Sequence, residues 1–323
     1  TTITGHVLGS SVGIVETLDR VEPYWREWGA AAGRHNAARR GPKRHGVGIA
    51  CSWYGIGNTS LSNPSEFRIA VDGTGAVTLY NGAVDIGQGS NTIMTQIAAG
   101  ALGVPAQAIR LVSGDTALTL DGGKTSASRQ TLVSGRACEA AARDLRRRLF
   151  VVAGAPDGLA DDPTARLALG AGAVTVESGN ARYAGALPHG PGDVVEGRGR
   201  FDPPTTPLDA DGQGEPYAAY GFATQVAHVE VDVELGTTRV LRIAAAHDVG
   251  RAINPQQVEG QIEGGIAQGL GLALMEEYVP GVTENLHDYL IPTIGDVPPI
   301  DTILIEVPDP EGPFGAKGLG EHV

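Results

Sequence analysis

Residues 254–277 carry Val258, Ile262, Ile266, Leu270 and Leu274 at intervals of four, while Gly260, Gly264, Gly265, Gly269 and Gly271 fall on other faces of the same helical pattern. Glycine costs a helix interior up to about 1 kcal/mol per residue relative to alanine, so five in one helix require a compensating gain. Close packing supplies one: a helix stripped of side chains is a helix that something approaches closely. The rest of the chain repeats the theme. Glycine supplies 47 of the 323 residues, dispersed through apolar segments with no repeat, as expected of a protein wrapped tightly around a ligand. The extreme case is the run from Glu311 through Gly312, Pro313, Gly315, Gly318 and Gly320 to Glu321. It delivers one carboxylate at the end of an irregular loop with few side chains of its own.

With 41% hydrophobic residues the chain can bury a large core and is long enough for about two domains. A formal net charge of -13 argues against a phosphate-backbone binder, so no nucleic acid is expected, and small substrates or protein partners are. The two cysteines, Cys51 and Cys138, lack a CxxC spacing and are read as reduced, buried thiols. No apolar run reaches bilayer length and no leader precedes the first strands, so the mature chain is expected to be cytoplasmic, with no membrane contact. Thr1 is not a start methionine and the chain stops two residues beyond Glu321, as expected of a separately encoded or cleaved piece of something larger.

Along the chain, an amphipathic stretch over 15–28 precedes a basic run over 34–44, read as a solvated linker. Strand patterns over 46–54, 66–72 and 76–81 suggest an antiparallel meander. Helices are expected after Gly89, capped by Ser90 or Asn91 and stopped by Gly103, and over 132–152, where Val133, Ala137, Ala141, Leu145 and Leu149 share a face. Arg146, Arg147 and Arg148 suit that second helix's C-terminal dipole. Residues 153–215 read as a surface connection with short strand signals at 173–177. A strand pair over 225–233 and 238–247, the glycine-rich helix and a last strand over 301–307 complete an α+β chain of mixed sheets and glycine-rich helices. The expected division is 1–45 as a segment packing on a partner, 46–215 as a first binding region and 216–323 as a second, ending in the Glu321 loop.

Each polar motif has a bland reading. Gly87, Gln88 and Gly89 lie between a strand and a helix, where free backbone N–H groups and an amide hold an anion or carbonyl, or merely make a turn. Gly122, Gly123, Lys124 and Thr125 end like a phosphate loop, but Leu118 stands where its first glycine is needed, which rules that out. Thr125, Ser126, Ala127, Ser128, Arg129 and Gln130 open the second helix as either a ligand cradle or a capping cluster. Gln261 and Gln268, two turns apart, share a face of the glycine-rich helix, and buried amides need partners. His247, beside Asp248 at a strand end, is read as a satisfied structural histidine.

Taken in order, Val84 to Gly89, Ser126 to Arg129, Val249 to Pro255, Gly260 to Gly264 and Gly318 to Glu321 resemble the molybdenum hydroxylases, the xanthine dehydrogenase and aldehyde oxidoreductase family, over nearly the whole chain. The stretch from Ser52 to Pro64 is most similar to the nicotinate dehydrogenase branch, whose large subunit is divided between two polypeptides. This resemblance implies the C-terminal, molybdopterin-binding half of such a subunit. It implies that Glu321 is the catalytic base beside the metal. Gly87, Gln88, Gly89, Thr125, Ser126, Ala127, Ser128, Arg129, Gln130, Gln261 and Gln268 would bind molybdopterin cytosine dinucleotide, and no side chain would ligate the metal. It implies a molybdenum with a sulfido or selenido ligand, and hydroxylation of an electron-poor carbon of a nicotinate-like N-heteroaromatic with water as the oxygen source. Tyr54 and Asn58 fall at substrate-facing positions, Asn58 where xanthine oxidases carry an aromatic. The partners implied are a second molybdopterin-binding polypeptide carrying the N-terminal half, an iron–sulfur subunit with [2Fe-2S] and an FAD subunit. Aldehyde or purine hydroxylation, and a noncatalytic assembly paralogue, are the alternatives.

Overall fold

The computed structural model describes residues 1–38 and 41–323, so Arg39 and Arg40 of the basic run lie outside the described residues. The chain divides into two units, each assembled from separate stretches.

One unit comprises Leu8–Tyr54, Tyr220–Pro308 and Leu319–Val323. Its sheet has the order β1-β9-β10-β11, with β1 at Lys43–Gly55, β9 at Tyr220–Asp232, β10 at Thr237–Asp248 and β11 at Ile300–Ile305. β9 and β10 pair antiparallel, whereas β11 runs parallel to β10. Alternation along β10 sends Ala244 and Ala246 to one face, where Val21 and Trp28 of α1 (Ile14–Ala37) pack, and Ile243 and Ala245 to the other, against Ile262 and Ile266 of α4 (Pro255–Leu274). Short alanines on the central strand leave room for both helices. Arg242 lies 4.4 Å above the buried Trp28 ring, closing the α1 side. The amphipathic stretch is therefore a 24-residue helix that takes in Arg34 and His35, and Lys43 and Arg44 open β1, so the expected linker is largely regular structure.

The other unit comprises Thr1–Val7, Gly55–Ala219 and Asp309–Gly318. Its larger sheet runs β4-β3-β2-β8, formed by Ile109–Ser113, Val77–Asn81, Ser65–Asp72 and Asp193–Phe201, and a three-stranded antiparallel sheet joins β5 (Arg166–Gly170), β6 (Ala173–Ser178) and β7 (Ala181–Ala186). β2 and β3 form the expected hairpin, but β1 belongs to the first sheet, so the meander stops at two strands. The region read as a surface connection supplies four strands.

Helix α3 (Gly135–Val152), entered through a π-helical turn at Gln130–Ser134, lies against β8, and α2 (Ser90–Leu102) packs on α3. The contact with β8 is backbone to backbone. A methyl on Gly197 would sit 2.4 Å from Ala141 O, and one on Gly199 2.2 Å from Ala137 O. Arg146 is buried and donates to the carbonyls of Leu102, Ala160 and Ala165, tying the end of α2 to the segment after α3 instead of merely facing a dipole. Cys138 is buried in α3 with its thiol pushed well up by that burial, whereas Cys51 is exposed, contrary to expectation.

Candidate active site

In the first-described unit, α4 begins where Asn254 accepts from Gln257 N (3.2 Å), with Pro255 in the first turn. Only two of its glycines answer to packing within the chain. A methyl on Gly265 would meet Val323 Cβ at 2.6 Å, and one on Gly271 would meet Glu276 Oε1 and Pro292. Gly260, Gly264 and Gly269 face open space. Gln261 is half-buried and Gln268 exposed, so the two amides are not the buried pair expected. Gln257, one turn before Gln261, has a buried Oε1 with no hydrogen-bond partner, a position that sequence reasoning passed over.

At the chain's end Glu321 is exposed, and Tyr54 Oη donates to its Oε2 at 2.6 Å. The contact joins β1 to residues 319–323 across 267 positions of sequence. His322, buried beside Glu321, stacks on Tyr54 with ring centroids 6.2 Å apart, and its carbonyl accepts from Ser52 Oγ (3.0 Å). A methyl on Gly221 would lie 2.6 Å from the His322 ring, so β9 passes close beneath it. His247 is fully buried 5.9 Å from His322, with neither ring nitrogen hydrogen-bonded. Burial, followed by the nearby His322, pushes its pKa down to about 3, so it is held neutral. The satisfied histidine expected at this position is therefore buried without a hydrogen-bond partner.

In the second unit, Asp85 occupies loop N–H donors that were expected to be free for a ligand. Its carboxylate accepts from Gly87 N (2.9 Å), Gly89 N (3.3 Å) and Asn91 N (3.0 Å), capping α2 in place of Ser90 or Asn91. Partial burial works against its ionisation, but these N–H bonds, that from Asn91 foremost, outweigh it and hold the carboxyl below its usual range. Gln88 folds back on its own loop, accepting from Ile86 N and donating to Val84 O at 3.1 Å. The same Val84 carbonyl accepts from Thr125 Oγ1 at 2.7 Å, so the two polar motifs meet. Gln130 donates to Thr125 Oγ1 (3.0 Å) and Lys124 O, while its Oε1 is buried without a partner, as is Ser90 Oγ.

Ala127 and Ser128 both adopt left-handed backbone (φ 54° and 53°), a strained pair stabilised by contacts from outside the turn. Ala127 O accepts from Gly57 N at 2.9 Å, and Gly318 lies so close that a methyl on it would fall 1.9 Å from Ser128 O. Ser126 is exposed. Arg129 is fully buried, its guanidinium donating to the carbonyls of Gly122, Lys124, Asn63 and Pro64. Its terminal guanidinium nitrogens are thus directed at the protein's own backbone, while Nε is buried without a hydrogen-bond partner. Asn58 is half-buried and donates to Asn63 Oδ1 at 3.3 Å. Among the described residues no cluster of His, Cys, Asp and Glu could hold a metal ion, and no helix is long and apolar enough to cross a membrane.

The profile of the molybdopterin cofactor-binding domain family matches residues 21–298, and the chain belongs to that family. It is 32% identical, over 85% of its length, to the 6-hydroxypseudooxynicotine dehydrogenase complex subunit gamma of Paenarthrobacter nicotinovorans, covering 34% of that protein. Among solved structures, the aldehyde oxidoreductase of Desulfovibrio desulfuricans superposes with a TM-score of 0.81 at 29% identity, over 99% of this chain and 33% of that one. Quinoline 2-oxidoreductase of Pseudomonas putida 86 gives 0.73 at 28% identity, over 95% and 40%. The chain thus spans about a third to two-fifths of the length of these relatives, and its relatives are molybdenum hydroxylases.

Proposed function

We propose that this chain supplies the proton-accepting carboxylate and part of the cofactor cradle of a molybdenum hydroxylase acting on an electron-poor carbon of an N-heteroaromatic. The observation that carries the reading is Glu321: in a chain of this family it stands exposed at the end of the glycine-rich run, held by Tyr54 Oη at 2.6 Å. The residues present fit a polar dinucleotide cofactor. Gln130 Oε1 and Ser90 Oγ are buried acceptors lacking partners, and Gly87 has open space where a side chain would be. Gln88, Thr125, Ser126, Ser128 and Gln130 are the polar residues that would hold it, and Gln261 and Gln268 offer further amides on the open face of α4.

When bound, molybdopterin cytosine dinucleotide supplies the oxygen-transfer chemistry, with water as the oxygen source and two electrons taken up. The chain's own contribution is a proton acceptor in fixed position. Glu321 takes the proton at its carboxylate, and Tyr54, donating to Oε2, holds that carboxylate in one orientation. Asn58 offers a polar amide where a purine oxidase would stack an aromatic ring. Support for the substrate class comes from the similarity to quinoline 2-oxidoreductase, an enzyme named for an N-heteroaromatic. The [2Fe-2S] and FAD groups held by partner chains would serve as the electron acceptors. A second reading, aldehyde hydroxylation, is favoured by the similarity to the aldehyde oxidoreductase.

The test is metal and nucleotide analysis of the denatured native complex, followed by steady-state assays with nicotinate, xanthine and an aromatic aldehyde. Molybdenum with CMP, and a preference for nicotinate that Asn58→Ala weakens, are expected. A complex with neither molybdenum nor CMP overturns the cofactor reading. A preference for xanthine or the aldehyde that Asn58→Ala leaves unchanged overturns the substrate class alone.

A further inference from the structure

Residues 272–294, which begin in the last turn of α4 and continue beyond it, hold nine of the twenty-five exposed large apolar residues found among the described part of the chain. Leu272, Leu286 and Ile294 are 72%, 76% and 98% exposed. A contiguous concentration of this kind marks an interaction surface, since apolar residues scattered singly need no explanation but a patch does. The segment is shaped as well as apolar. Beside it a groove of about 490 Å³ opens between Val240 and Leu241 of β10, Leu270 and Leu274 of α4, and the Pro298–Pro299 approach to β11. None of the groove's polar residues is among the buried side chains that lack a hydrogen-bond partner, so within the described residues nothing in it waits for a polar ligand.

Charge narrows the occupant. Between residues 272 and 296 stand Glu276, Glu277, Glu284, Asp288 and Asp296, with no lysine or arginine. The groove's lining adds Arg239, which lies 3.9 Å from Glu230, so carboxylates still outnumber cations on this surface. A second copy would set one acidic excess against another, which disfavours self-association and favours a surface with a basic rim. Length supplies the candidate. The chain covers 34%, 33% and 40% of three relatives, so three-fifths or more of a family large subunit lies outside these residues.

We propose that the groove and the 272–294 segment are the docking surface for the remaining molybdopterin-binding length of the large subunit, which inserts an apolar anchor ringed by lysine or arginine. The proposal rests on the molybdenum hydroxylase reading for the identity of its occupant, and is read out by association instead of turnover.

In the intact complex, amide hydrogen exchange over 275–299 is expected to be slower than in this chain dissociated from its partner. The double substitution Leu286→Asp and Ile294→Asp should raise the concentration at which the complex dissociates on dilution by at least about 30-fold, the loss of one interface anchor. The control Leu235→Asp, at an equally exposed leucine in the β9–β10 turn, should leave it unchanged. Unchanged exchange over 275–299, or equal weakening by the control, overturns the proposal. If the double variant fails to fold, as judged by circular dichroism, the exchange comparison on the unsubstituted complex decides alone. A complex that lacks molybdenum yet protects 275–299 refutes the cofactor reading and leaves the docking surface standing.

Discussion

Gly199→Ala adds a single methyl group where β8 crosses α3. Its Cβ would lie 2.2 Å from Ala137 O, 2.4 Å from Ala141 N and 2.9 Å from Ala140 Cβ. Ordinary contact needs about 3.5 Å, so strand and helix must separate by about 1 Å. No flexible side-chain tip can yield instead, because two of the three atoms are backbone. A gap of that size forfeits about a quarter to a half of the dispersion well at each contact along the interface. The expected cost is about 3 kcal/mol, the upper end for overpacking a well-filled core. For a chain of this size that corresponds to a fall of roughly 6–12 °C in Tm, measured by scanning calorimetry. The matched control is Gly260→Ala on the open face of α4, where a methyl meets nothing within 4 Å and helix propensity gains up to about 1 kcal/mol. A Gly199→Ala protein whose Tm stays within about 2 °C of the parent, or moves in the same direction as Gly260→Ala, would refute the claim that backbone contact explains these strand glycines.

Three further outcomes are expected. Glu321→Gln keeps the volume and removes proton acceptance, so turnover of the complex should fall by at least about 100-fold at unchanged molybdenum content; ordinary turnover would remove the carboxylate from the mechanism. Gln88→Ala with Gln261→Ala should lower molybdenum occupancy, each leaving polar cofactor atoms unpaired at roughly 1–3 kcal/mol, and full occupancy at normal stability would make both glutamines structural. The third concerns acid stability. His247 has a folded pKa of about 3 against an ordinary 6.5, so the unfolded chain binds its proton first. The stability this histidine permits is full above pH 6.5 and falls as pH drops from there toward 3, by about 2 kcal/mol at pH 5. Denaturant titrations of the parent and of His247→Leu should diverge in slope over that interval, and parallel curves would show that the ring is protonated without penalty.

What could be read in the sequence was local. The α3 face from Val133 to Leu149, Gly103 as the stop of α2 and the β9–β10 pair declare themselves through periodicity and turn residues, and the structure forms all three. β8 was illegible because Gly197 and Gly199 remove the strand signal, and the helix that makes glycine necessary lies far away in sequence. The sheet partner of β1 was illegible for the same reason. In the candidate site, the residue types of the Gly87–Gly89 and Thr125–Gln130 motifs were evident, but not which donors the protein itself consumes. Asp85 two positions before Gly87 was a readable signal for a capping turn. The burial of Arg129 and the hydrogen bond from Tyr54 to Glu321 were not readable, because both depend on long-range packing.

The chain passes between its two units five times, after Val7, Tyr54, Ala219, Pro308 and Gly318. Asp309–Gly318 belongs to one unit and Leu319–Val323 to the other, so no contiguous fragment of these residues carries either unit whole. A truncation after Pro308 would remove a segment of each unit together with Glu321, so lost turnover in such a variant would not by itself report on the carboxylate.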